Sequence, residues 1–281
     1  TVTANSSQPT VLAIDSEEVS GFTLNVGSSE AQLDLTSENT ITDTTLQSSS
    51  KESFNAAIDA VNTGTEITNT RGGSLAASFA GKTINPTIAS SGKGSIEATF
   101  DAVTRGAEID SARGAVEASF GSKVKEVSAT STSKKSVDLA FDALVTDASI
   151  ESERSAIEAS FAGKVKDISV NAATSKKSVQ LAFDSSVTNA NLSFGRGSDE
   201  VIFGGAIAGT GSSVDLGSDK KADSIVIAKP KKVNSPLEIT NFGKQDTLTL
   251  GSSVFTYDQI SDFEANNSFP NVFGSITVDL I

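Results

Sequence analysis

A chain of 281 residues without Cys, His, Met or Trp has no disulfides, no thiol or imidazole chemistry and no His-containing zinc site, and it lacks the commonest general base. Its formal charge of −13 argues against a nucleic-acid partner, which needs a basic face to displace counterions from phosphates. Aromatics make up 6% of the chain while Gly, Ser, Thr, Ala and Asn abound, which suits short strands and tight corners better than a bulky globular core, and no apolar run reaches membrane-span length.

Residues 1–30 carry no clear repeat. The start, Thr1-Val-Thr-Ala-Asn-Ser-Ser7, has no charged region followed by an apolar one, so no Sec-type leader is visible. Val11-Leu-Ala-Ile14 and Gly21-Phe-Thr-Leu-Asn-Val26 read as short strands, so this stretch is expected to be an N-terminal arm or cap, or else an irregular first coil.

Residues 31–193 repeat. Ser53-Phe-Asn-Ala-Ala-Ile-Asp-Ala-Val61 resembles Ser95-Ile-Glu-Ala-Thr-Phe-Asp-Ala-Val103, and Gln32-Leu-Asp-Leu35 fits one coil earlier. Ala115-Val-Glu-Ala-Ser-Phe120 returns as Ala156-Ile-Glu-Ala-Ser-Phe161, an offset of 41 residues, with the half-unit Ser136-Val-Asp-Leu-Ala-Phe141 between them. The marker series Ile58, Phe79, Phe100, Phe120, Phe141, Phe161, Phe183 has gaps of 21, 21, 20, 21, 20 and 22, so one coil closes about every 20 residues. A fixed period of this size marks a solenoid, in which each repeat buries its apolar face against its neighbours.

Within a repeat, Val116, Ala118 and Phe120 alternate with Glu117 and Ser119, the period-two pattern of a strand with one dry face. A second strand follows in each coil, as in Ala107-Glu-Ile109, Ala148-Ser-Ile150, Ile168-Ser-Val170 and Ala190-Asn-Leu192. Corners fall at Ala112-Arg-Gly114, Thr132-Ser-Lys-Lys135 and Ser152-Glu-Arg154. The expected fold is all-β: a parallel β-solenoid with two strands per coil, the phenylalanines forming a buried column. The corners alternate Lys134-Lys135, Glu153-Arg154 and Lys176-Lys177, which spaces like charges two rungs apart, and Leu139 and Leu181 alternate with Ala118 and Ala159 inside. A duplicated pair of coils accounts for the same alternation. The outward ladder Glu97, Glu117, Asp138, Glu158, Gln180 reads as a solvated face rather than a catalytic pair, and with one Tyr and no Trp there is no aromatic platform for sugars, so no enzyme activity is expected.

From residue 194 the pattern changes. Phe194-Gly-Arg-Gly-Ser-Asp-Glu-Val-Ile202 fits the nonapeptide G-G-x-G-x-D-x-U-x except for Phe194, and Gly217-Ser-Asp-Lys-Lys-Ala-Asp-Ser-Ile225 and Gly243-Lys-Gln-Asp-Thr-Leu248 are looser echoes. With Ile239-Thr-Asn-Phe-Gly-Lys-Gln-Asp-Thr-Leu-Thr-Leu250, these residues resemble the C-terminal region of RTX-type proteins exported by type I secretion. That resemblance implies a β-roll with Ca²⁺ in its turns, bound through Asp199, Asp219, Asp223 and Asp246, and an extracellular or cell-surface location. The ending Val278-Asp-Leu-Ile281 is similar to the secretion-signal tails of that family. A β-solenoid whose Gly-Asp turns hold no metal is the alternative.

No charged or helical cap is evident at either end of the repeats, so both ends are expected to present unpaired backbone groups. The expected function is a structural protein stacking head-to-tail into a filament, surface layer or biofilm matrix. The alternative is a monomeric calcium-dependent adhesin or glycan-binding module, with cell-surface polysaccharide as its partner.

Overall fold

The computed structural model describes residues 2–4, 10–27, 30–265 and 275–281; Thr1 and residues 5–9 of the expected arm lie outside them. The protein is all-β, a parallel β-solenoid with coils of about 21 residues. The chain falls into two compact units, Thr1–Asp142 and Ala143–Ile281.

In the first unit each coil has a first strand and a second strand separated by two corners. The first strands Phe54–Thr63, Leu75–Phe79, Ile96–Phe100, Val116–Phe120 and Val137–Phe141 pair in parallel, residue on equivalent residue. This register stacks Ile58, Phe79, Phe100, Phe120 and Phe141 in one column, all with at most 1% of their surface exposed. The rings of Phe79, Phe100, Phe120 and Phe141 lie 4.9, 4.8 and 4.8 Å apart and within 3° of parallel. That spacing is the rise of one coil, set by backbone hydrogen bonds running along the solenoid axis.

The repeat plan reaches back into the stretch expected as an arm or cap. Thr10–Ser20 pairs in parallel with Ala31–Thr42, and Thr23–Val26 with Thr45–Ser48, placing Ile14 and Leu35 in the column below Ile58. Among the described residues Thr10–Ser20 has a strand on one side only. Its inward Leu12 and Ile14 are therefore half-buried, whereas Leu33 and Leu35 in the next coil are 0% and 1% exposed, and Val11 is 69% exposed.

In the second unit Ile157–Phe161, Val179–Phe183, Glu200–Phe203, Ser224–Ile227 and Thr247–Leu250 stack in the same manner, with Phe161, Phe183 and Phe203 spaced 4.8 and 5.4 Å apart. Ile227 and Leu250 then replace phenylalanine in the column. Two positions earlier the register runs Ala159, Leu181, Val201, Ile225, Leu248. The expected large–small alternation is thus not general. In the first unit that position is Ala56, Ala77, Ala98 and Ala118 before Leu139. Small residues accompany most of the phenylalanine coils, and large aliphatics fill the volume where phenylalanine is lost.

The C-terminal end is capped, contrary to expectation. Ser253–Thr256 folds back antiparallel on Thr247–Leu250, and the helix Tyr257–Ala265 follows, seating Ile260 in the core. Gln259 Oε1 accepts the Thr256 N–H at 2.9 Å, half of a capping box. The C-terminal Ile276–Leu280 pairs in parallel with Leu237–Phe242, which buries Val278 of the expected secretion tail.

Candidate functional site

The register that places one apolar residue at the start of every first strand changes its chemistry in the second unit. In the first unit this column is Phe54, Leu75, Ile96, Val116 and Val137. In the second it begins Ile157, Val179 and, one residue before the paired Glu200, Ser224 and Thr247, continues Asp199, Asp223, Asp246. All three aspartates are buried.

Their hydrogen bonds show why carboxylates sit there. In the apolar coils the N–H of the column residue donates to a main-chain carbonyl of the next coil: Leu75 to Ser95, Ile96 to Ala115, Val116 to Ser136, Ile157 to Ser178. At the Gly-Asp turns the side chain takes over as acceptor. Val179 N–H donates to Asp199 Oδ1 at 2.7 Å, Asp199 N–H to Asp223 Oδ1 at 2.7 Å, and Asp223 N–H to Asp246 Oδ1 at 2.9 Å. Asp246 ends the ladder by accepting the Gly243 N–H on Oδ2 at 2.6 Å. The turns stack closely enough to need glycine, since a Cβ at Gly197 would lie 2.4 Å from the Lys177 carbonyl.

Burial is the main cause that raises the pKa of these three carboxyl groups. The Asp199 pKa is pushed up to about 6 and that of Asp223 up to about 8; Asp246 is also raised. The neighbouring carboxylates add to the effect, while the backbone N–H donors oppose it.

The four aspartates expected to bind Ca²⁺ thus differ in role. Asp199, Asp223 and Asp246 share the column, and Asp219, half-buried in the corner before Asp223, interacts electrostatically with all three. Asp246 has both oxygens committed to backbone N–H groups. Asp219 Oδ1 accepts the Lys221 N–H at 2.7 Å. Asp199 Oδ2 and Asp219 Oδ2 are buried without a hydrogen-bond partner. Ca²⁺ requires six to eight oxygens, and among the described residues no three acidic side chains converge as metal ligands. Asp199 Oδ2 and Asp219 Oδ2 are the oxygens that a cation could use, whereas Asp246 does not fit as a ligand while the ladder is intact.

A second axial feature escaped the sequence reading. One residue per coil adopts a left-handed backbone: Gly21, Asp43, Gly64, Asn85, Gly106 and Glu126 in the first unit, and Asp147, Asp167, Asn189 and Gly209 in the second. In three places an Asp or Asn side chain lies over the glycine of the next coil, at Gly64, Gly106 and Gly209. Asn189 also donates from Nδ2 to Asp167 Oδ1 at 2.6 Å and accepts the Thr210 N–H at 2.8 Å. The signal was Asn, Asp or Gly, the residue types that tolerate this conformation, at nine of these ten positions, with Glu126 the exception. In the second unit this column borders a shallow, open concavity of about 410 Å³ beside Asp147, Asp167 and Asn189.

No family model, no curated protein and no solved structure matches this chain. The solenoid is compatible with a β-roll repeat protein, and the resemblance to RTX-type proteins rests on the turn residues alone.

Proposed function

We propose that the protein is a non-enzymatic, extracellular structural component that assembles with itself through the edge of the strand Thr10–Ser20. The observation that carries this reading is the strand Thr10–Ser20, paired on one side among the described residues, with Leu12 and Ile14 half-buried and Val11 exposed. Such an edge is a template for strand addition, and covering it would complete the burial that Leu33 and Leu35 already have. The cap makes the C-terminal end unlike this one, so a contact between the two ends is head-to-tail and does not close. The outer side of Ser253–Thr256, where Val254 is exposed, is the surface it would use.

Electron microscopy and light scattering test this. The wild-type chain is expected to form filaments or concentration-dependent oligomers, and Ala13→Pro, which places a residue without an N–H in the edge strand, to remain monomeric. Wild-type protein that stays monodisperse at all concentrations would end the assembly reading.

A divalent cation such as Ca²⁺ at Asp199 and Asp219 is the second part of the proposal, supported by the two unpartnered buried oxygens. It favours the calcium-dependent adhesin as the second reading. Ca²⁺ is expected to raise the melting temperature and slow proteolysis of the coils from Glu200 to Leu250, with Asp219→Asn losing most of the gain. Identical melting and cleavage in Ca²⁺ and in EGTA would remove the cation.

A further inference from the structure

The expected alternation of corner charges fails in the first unit. There five successive corners leading from a second strand to the next first strand, residues 49–53, 70–74, 91–95, 112–115 and 132–136, each carry at least one cation: Lys51, Arg71, Lys93, Arg113, and the pair Lys134 and Lys135; the corner before them, residues 27–30, carries Glu30 instead. The cations are six of the ten Lys and Arg residues before residue 143, and Glu52 is the single acid in those five corners. All six are exposed, and none forms an ion pair with another described residue.

The row is held rigidly. Thr70, Ser91, Ala112 and Thr132 each donate a backbone N–H to the corner below, to Ser48, Asn69, Ser90 and Ser111. Within the corners buried Ser111 and Ser133 close the turns, Ser111 accepting the Gly114 N–H at 3.1 Å and Ser133 donating to the Gly114 carbonyl at 2.9 Å. The corners therefore climb in step with the phenylalanine rings, 4.8 to 4.9 Å per coil. Like charges at that separation repel by about 1 kcal/mol per pair in water before salt screening. The fold accumulates this repulsion along one line, with Glu52 as its single acid and no ion pair among the described residues to offset it.

We propose that this ladder is a docking surface for a linear anionic polysaccharide lying along the solenoid axis, one acidic sugar per coil. A polyuronate carries one carboxylate per ring, and an extended sugar unit is close in length to one coil. Each contact neutralises a cation and releases counterions. Duplex nucleic acid fits less well, because its charges come about every 3.4 Å on each strand rather than once per coil. A single strand would want aromatic rings for its bases, but Phe54, Phe79, Phe100, Phe120 and Phe141 are all in the core. The proposal does not depend on self-assembly, whose readout is oligomeric state.

Binding of the full chain to polygalacturonate, measured at low and high salt, decides it. Wild-type protein is expected to bind in a salt-sensitive manner. The variant Arg71→Gln/Lys93→Gln/Arg113→Gln/Lys134→Gln should bind at least tenfold more weakly, with a shallower salt dependence. The control Lys82→Gln/Lys123→Gln/Lys231→Gln/Lys232→Gln removes as many exposed charges elsewhere and should stay within about twofold of wild type, since none of the four lies in the ladder. Arg71→Lys/Arg113→Lys keeps the charges and should retain binding, which separates loss of charge from loss of fold. No binding at low salt, equal losses in the ladder and control variants, or tighter binding to duplex DNA than to polygalacturonate would overturn the assignment.

Discussion

Phe120→Ala is expected to destabilise the first unit by about 3–5 kcal/mol. Its ring is sandwiched 4.8 Å from Phe100 on one side and 4.8 Å from Phe141 on the other, both nearly parallel to it. The backbone hydrogen bonds that fix the coil rise prevent the flanking coils from closing the gap, so the cavity persists. Glu117→Ala, three residues earlier on the outward face, removes an exposed side chain and should cost less than about 0.5 kcal/mol. Neighbouring coils share their interfaces, so the defect should spread. Hydrogen exchange should speed up in Ile96–Phe100 and Val137–Phe141 as well as in Val116–Phe120. Equal melting shifts for the two variants would contradict the register.

The phenylalanine coils were legible because three signals coincide in them: strict alternation, a bulky marker and a nearly constant offset. Residues 10–26 follow the same plan but were not seen to. Their marker is Ile14, and the register slips between Ser16 and Glu18 and again between Thr36 and Thr40, which blurs the period. The helix Tyr257–Ala265 was missed because, among its described side chains, only Ile260 is buried in the core, and the rest of the sequence is mostly polar. The aspartates were picked out by their spacing from glycine, but their part in the backbone ladder was not. Whether a carbonyl or a carboxylate meets the N–H above it depends on the path of the corner, which no sequence pattern displays. Charge alternation was inferred from three corners that straddle the boundary between the two units. The corners between residues 49 and 136 show that cations recur in five successive coils there.

In buffer free of divalent cations, the last coils of the second unit are expected to be most stable at acid pH and to loosen as pH rises from about 4 to about 8. Unfolded, Asp199 and Asp223 titrate near 3.8; folded, burial raises them to about 6 and about 8. The folded chain therefore binds more protons than the unfolded chain across this window. Stability from these groups is complete below the unfolded value and is lost as each folded value is passed. Asp246, also raised, acts in the same direction, and the chain has no histidine to confuse the reading. Asp223→Asn keeps an oxygen to accept the Asp199 N–H but cannot ionise, so it should flatten the pH dependence and stabilise these coils at pH 8 by roughly 2 kcal/mol or more. Hydrogen exchange in Ser224–Ile227 and Thr247–Leu250 reports the effect locally, with the phenylalanine coils Ile96–Phe100 and Val116–Phe120 as the internal reference. Protection in Ser224–Ile227 that grows between pH 4 and pH 8, after correction for the intrinsic exchange rate, would mean that the carboxylates are ionised in place and that charge, not a proton, holds the ladder together.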